Sequence, residues 1–224
     1  MTKIILHQWE ISPFCGKIRK ILKLKGLHYE VVNYNGLMAA AATRLSSVGK
    51  LPVVDYEDER IQDSSRIAEF LDLRHPICPL LPEHPEEQAR AQILEDWADE
   101  SLYWYEVHFR FNFPEALNKS LRLICEGRPF YERWIMRLIA PGMLRKALKA
   151  QGLGRQTNER IEADFIQHLE NLDLLLQGRS WLVGQTLSIA DIAVSAQLDE
   201  MVRTSHLREK ILSYPNIRDW LDRV

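Results

Sequence analysis

Ser12-Pro13-Phe14-Cys15 closes a short apolar run, Ile4-Ile5-Leu6, and opens a pattern in which Ile18, Ile21 and Leu22 recur at helical spacing. This stretch decides the fold, because a strand passes straight into a helix there. Ser12 stands where an N-cap is wanted, and Pro13 takes the first helical position, where a missing N–H costs nothing and a fixed φ suits the helix. The unsatisfied amides and the macrodipole of that helix favour an anion at its start, and a serine hydroxyl has a proton to donate to one. A thiolate is such an anion. Simple capping accounts for the same four residues in isolation, so their neighbours decide between the two readings.

Outward from this point, the spacing predicts a strand over residues 3–9 and a helix from Pro13 to Lys25, stopped by Gly26. Tyr29 to Tyr34 alternates and is rich in β-branched residues, which predicts a second strand and completes a βαβ unit. The alanine-rich segment Leu37 to Ser47 reads as a short helix. A strand follows Pro52, with a hairpin turn at Glu57-Asp58-Glu59-Arg60 before Ile61. Asp63-Ser64-Ser65 then caps a third helix carrying Ile67, Phe70 and Leu71. Pro76, Pro79, Pro82 and Pro85 mark a linker, placing one domain at 1–78 and a second at 86–224.

Helical periodicity runs through the second domain, with breaks expected near Pro114, Gly127-Arg128-Pro129, Pro141-Gly142, Gly152 to Gly154 and Gly178 to Gly184. Leu187-Ser188-Ile189-Ala190-Asp191-Ile192 reads as a capping box with Asp in the place of Glu. The expected class is therefore an α/β domain followed by an all-α domain.

Composition narrows the partners. The 224 residues are 46% hydrophobic, ample for a core, and the net charge of −2 gives no basic stripe for a phosphate backbone. The runs are too short for a membrane span, and Met1-Thr2-Lys3-Ile4 starts no secretory signal. A cytoplasmic protein with neither nucleic-acid nor membrane partners is expected. Cys15, Cys78 and Cys125 have no CxxC spacing, and the histidines form no HExxH pattern, so neither a disulfide framework nor a metal site is indicated.

The ordered series of strand, Ser-Pro-Phe-Cys helix, strand, helix, Leu-Pro before a hairpin and acidic-Ser cap resembles the cytosolic glutathione transferases, across the whole chain. His7 to Glu30, with Leu24-Lys25-Gly26-Leu27-His28-Tyr29-Glu30, is similar to the serine-type tau class; Ser188 to Asp191, and Tyr214-Pro215-Asn216-Ile217 with Trp220, resemble motifs of the family's second domain. The resemblance implies a thioredoxin-like domain, glutathione as co-substrate, detoxification of electrophiles and a homodimer. It makes Ser12 the donor to the glutathione sulfur and Pro52 the family's cis-proline, exposing the Leu51 backbone to the cysteinyl portion. Asp63 and Ser64 would hold the γ-glutamyl end, and Lys50 the glycine carboxylate. Asp63 stands where Glu is usual, one methylene shorter.

A free thiol has a pKa near 8.5, and lowering it by about two units takes roughly 2.7 kcal/mol. One hydrogen bond to a charged group supplies about 1.5 to 3 kcal/mol and a helix terminus about 0.3 to 1 kcal/mol. A serine donor at the helix end is sufficient without a general base. Cys15 is the alternative nucleophile, for glutathione-dependent thiol–disulfide exchange; its place about one turn into the helix predicts a buried packing thiol instead. A third reading is binding of glutathione or an apolar ligand without turnover. Small-molecule sites favour domain boundaries, so an electrophile pocket is expected there, with Phe14, Tyr105 and Phe109 as its candidates.

Overall fold

A computed structural model describes residues 2–224. The chain forms two compact units: the residues up to Leu80 with Leu121–Met136, and Leu81–Ser120 with Arg137–Val224.

The first unit is built on a four-stranded sheet in the order β2-β1-β3-β4, with β1 Ile4–Gln8, β2 Glu30–Asn33, β3 Val53–Tyr56 and β4 Glu59–Gln62. β1 pairs parallel with β2 and antiparallel with β3, and β3 pairs antiparallel with β4. Helices α1 (Pro13–Leu24) and α3 (Ser64–Arg74) pack together, burying Ile18, Ile21, Leu22, Ile67 and Leu71 with Ile4, Leu6, Val53 and Val54 of the sheet. Gly26 follows α1 at φ 62°, the left-handed conformation that a helix stop requires.

Three local expectations change. The helix expected over Leu37 to Ser47 shrinks to a 3₁₀ turn, Gly36–Met38, and α2, Ala39–Ala42. Alanine has the propensity, but only Ala42 of α2 is buried, and short helices depend on packing more than on propensity. The hairpin turn is also shorter than expected: Glu59 and Arg60 already pair with Tyr56 and Asp55, leaving Glu57, at φ 53°, and Asp58 to turn the chain. Finally, Leu121–Met136 joins the first unit instead of remaining with the helical one. Its attachment is polar: Asn35 Nδ2 donates to the Glu126 carbonyl over 3.1 Å, and Glu132 Oε2 accepts from the Leu37 N–H over 2.9 Å. Gly36, at φ 59°, lies against the Glu132 carboxylate with no room for a Cβ.

The second unit is helical. It contains α4 (Pro85–Trp97), α5 (Tyr103–Phe111), α8 (Asn158–Leu176), α9 (Ile189–Thr204), α10 (Arg208–Leu212) and α11 (Pro215–Leu221). A π-helical turn, Ala98–Leu102, joins α4 to α5. Helices α6 (Pro114–Ile124) and α7 (Phe130–Gln151) are each divided between the units. The break expected at Pro141-Gly142 does not occur; α7 runs through Pro141. Proline in a helix interior removes one hydrogen bond, which the rest of a 22-residue helix can outweigh. The other expected breaks coincide with helix ends.

The Ser188 capping box forms as read, with Asp191 returning a hydrogen bond to the Ser188 N–H over 3.0 Å. Asp191 does more than cap. Its carboxylate also accepts from the Leu182 N–H at 2.8 Å, the Ser188 hydroxyl at 2.9 Å and the Trp220 indole N–H at 2.9 Å, all buried. Burial nevertheless pushes this carboxyl above its ordinary value, while its hydrogen bonds pull it down. Replacing Asp191 by Ala strands four buried donors, and the variant should lose about 3 to 5 kcal/mol of stability in urea denaturation followed by circular dichroism.

Candidate active site

Ser12 is the N-cap of α1, at φ −79° and ψ 126°, with Pro13 the first helical residue. Its N–H donates to the Trp9 carbonyl over 2.9 Å, and its Oγ accepts from the Cys15 N–H over 3.4 Å. The oxygen thus faces the Cys15 amide, and accepting there leaves the hydroxyl its capacity to donate. The side chain is nearly buried, which strengthens any charge it stabilises.

Strand register brings the remaining residues to the same place. His7 pairs with Val53, and Val53 with Gln62. One step further along each strand come Gln8, Pro52 and Asp63, so the loop into α1, the start of β3 and the start of α3 meet at one end of the sheet. The Leu51-Pro52 peptide bond is cis. Lys50, expected beside it, is exposed.

Asp63 caps α3, its Oδ1 accepting from the Ser65 N–H at 3.1 Å and the Arg66 N–H at 3.2 Å. Its φ is 73°, a left-handed value uncommon for a residue with a side chain and often found at functional sites. Ser64, the first helical residue, is buried. Behind it lies a residue that the sequence reading missed: Lys17, only 1% exposed, whose Nζ donates to Ser65 Oγ at 3.3 Å and reaches Ser64 Oγ at 3.5 Å. The available signal was a lysine four residues before Ile21 and four after Pro13, on the face of α1 that turns inward. A lysine ammonium and the α3 N-terminus lie at the same corner, and both favour an anion.

Cys15 is completely buried on the inner side of α1. Phe14 is half-buried. Tyr105 and Phe109 belong to the core of the helical unit. Phe109 has no exposed surface, its ring lying 5.2 Å from that of Phe165 and 5.9 Å from that of His206, and Tyr105 packs against Phe165 and His168. A ring enclosed in this way serves packing. Among the described residues, no group of His, Cys, Asp and Glu stands positioned to hold a metal, and no helix is long and apolar enough to cross a membrane.

Two family profiles match the chain, the glutathione S-transferase N-terminal domain over residues 13–116 and the glutathione S-transferase C-terminal domain over residues 155–223. The chain belongs to the glutathione S-transferase family, and its fold is that family's: a thioredoxin-like domain with a four-stranded mixed sheet, and a helical domain. It is 30% identical over 105 residues to the probable glutathione S-transferase parA of Nicotiana tabacum, covering 45% of this chain and 46% of that protein. It is 23% identical over 197 residues to a probable maleylacetoacetate isomerase of Caenorhabditis elegans, covering 86% and 76% of the two chains. The chain spans about half the length of the first curated relatives it matches. A Methylobacterium radiotolerans glutathione S-transferase solved with glutathione sulfonate superposes with a TM-score of 0.64 at 24% identity, over 99% of this chain and 90% of that one.

A polar network crosses the sheet next to this corner. His7 Nδ1 lies 3.1 Å from the Tyr34 hydroxyl and its Nε2 3.0 Å from Asp55 Oδ2, while Arg60 grips both Asp55 oxygens at 2.6 and 2.7 Å. The Arg60 guanidinium, against the opposing effect of burial and with help from His7, holds the Asp55 carboxyl down at about 2. A carboxyl depressed by folding contributes stability above its unfolded value, and that contribution disappears as the pH falls through the folded one. The difference in stability between the native chain and Asp55→Asn, measured by thermal melts across pH, should be about 1 kcal/mol near neutrality, allowing for the exposure of Arg60, and should vanish between pH about 4 and 2.

Proposed function

We propose that this chain is a serine-type glutathione transferase that joins the glutathione thiolate to an apolar electrophile, with detoxification in the cytoplasm as the corresponding role. One observation carries the reading: the hydroxyl-capped start of α1, the cis Leu51-Pro52 pair and the Asp63-Ser64 cap converge at one sheet end. The glutathione S-transferases similar to it, one of them solved with glutathione sulfonate, support the choice of co-substrate.

In this mechanism the Ser12 hydroxyl donates to the sulfur. Its oxygen is already turned to the Cys15 N–H, which favours that direction of donation. The γ-glutamyl carboxylate lies on Ser64 and the first amides of α3, with Lys17 behind them, and the ammonium faces Asp63. The Leu51 backbone pairs with the cysteinyl portion, and Lys50 meets the glycine carboxylate. The thiolate then attacks an electrophilic carbon, a C–S bond forms, and on an aryl halide the halide leaves with its electron pair. Phe14 is the aromatic residue of this unit assigned to the electrophile side. Disulfide exchange by Cys15 would need an accessible thiol, and its complete burial disfavours that route.

The proposed assembly is a homodimer. Leu73 on α3, Ile77 just after it and Ile93 on α4 are each more than two-thirds exposed, which supports association.

Ser12→Ala should raise the pKa of bound glutathione, read from its ultraviolet thiolate band, by about one to two units and lower kcat/KM toward a dinitro-aryl chloride by roughly 10- to 100-fold. Cys15→Ala should leave that conjugation intact. An unchanged thiolate band in the serine variant would defeat the mechanism. Lys17→Met should raise KM for glutathione about tenfold with a smaller change in kcat. Light scattering should give twice the chain mass for the native protein and the single chain mass for Leu73→Glu.

A further inference from the structure

The first turns of α7 carry large apolar side chains that are exposed among the described residues. Phe130 is 79% exposed and Trp134 66%, with Tyr131 half exposed beside them, and Leu138 on the next turn of the same helix is 82% exposed. A monomer normally buries side chains of this size. The inward side of the helix is fixed elsewhere. Glu132, about 160° around the helix from both Phe130 and Trp134, accepts from Arg128 and from the Leu37 N–H. Phe130, Trp134 and Leu138 therefore lie on the side of α7 turned away from the Glu132 contacts.

Charge identifies what this face meets. Between Arg128 and Arg155 the chain has seven cations, Arg128, Arg133, Arg137, Arg145, Lys146, Lys149 and Arg155, against the single acid Glu132, and that acid is turned inward. The stretch carries +6 in a chain whose net charge is −2. Two copies meeting by this face about a two-fold axis would oppose like charges, so self-association is disfavoured here. Exposed Phe, Tyr, Trp and Leu on a helix whose outward charges are Arg and Lys match the helices that lie in the headgroup region of a bilayer.

We propose that the α7 face docks this protein reversibly on an anionic lipid surface, Phe130, Trp134 and Leu138 entering the interface and Arg133 and Arg137 meeting the headgroups. The sequence-based expectation of no membrane partner rested on the absence of a spanning run, which does not bear on a helix that lies on a surface.

The test is co-sedimentation of the full chain with vesicles of phosphatidylcholine alone and of phosphatidylcholine mixed with phosphatidylserine. The native protein should sediment with the mixed vesicles, progressively less as salt is added, and remain in solution with the neutral ones. Arg133→Glu with Arg137→Glu should reduce the bound fraction about tenfold or more, and Phe130→Ser with Trp134→Ser should abolish binding, both with unchanged thermal melts. The proposal fails if the native chain ignores the mixed vesicles, if the charge-reversed variant binds them equally well, or if the face binds soluble polyglutamate and no vesicle, which would mark an acidic protein segment as its partner.

Discussion

The pairing of β1 with β3, and of β3 with β4, is the constraint on which the candidate site depends. Because His7, Val53 and Gln62 lie in one row across the sheet, Pro52 and Asp63 can only emerge beside the end of β1, where the chain turns into α1 through Ser12. Side-chain direction alternates along a strand, so a slip of one residue in this row would turn Val53 and Val54, both buried, each to the opposite face of the sheet and move both loops. The hydrophobic core and the functional geometry are therefore held by the same hydrogen-bonded register.

Two helix starts meet at that corner, and their electrostatics complement each other. Each directs the positive end of a helix dipole to the corner, each is capped by a side-chain oxygen, and Lys17 bridges from one helix to the two serines of the other. The corner favours negative charge at two places, one beside Ser12 and one beside Ser64. A ligand carrying a thiolate and a carboxylate at suitable separation answers both, whereas a neutral ligand of the same shape answers neither.

Much of this was legible in the order of the residues. The Ser-Pro helix start, the strand after Leu-Pro and the Asp-Ser cap are local signals with local causes, and each element formed within a few residues of its expected place. The misses share a physical origin. Alanines after Leu37 favour a helix, but without a face to bury the segment winds only briefly. Pro141 signals a break, but the turns on either side hold α7 together. Leu121–Met136 joined the first unit through contacts between Asn35 or Leu37 and residues about 90 positions away, a separation over which periodicity carries no information. Lys17 was overlooked because a lysine reads as a surface residue unless its contacts across the fold are known. Tyr105 and Phe109, read from an aromatic stripe at helical spacing, lie buried against Phe165, a partner that the stripe itself does not reveal.

Asp191 ties together three separate stretches, and the last of its donors to be made is Trp220. The loop at Leu182 and the start of α9 leave the ribosome before that indole does, so a polypeptide still being synthesised carries a carboxylate whose enclosure is incomplete. The helical unit accordingly completes the enclosure of this carboxylate only once α11 has been made.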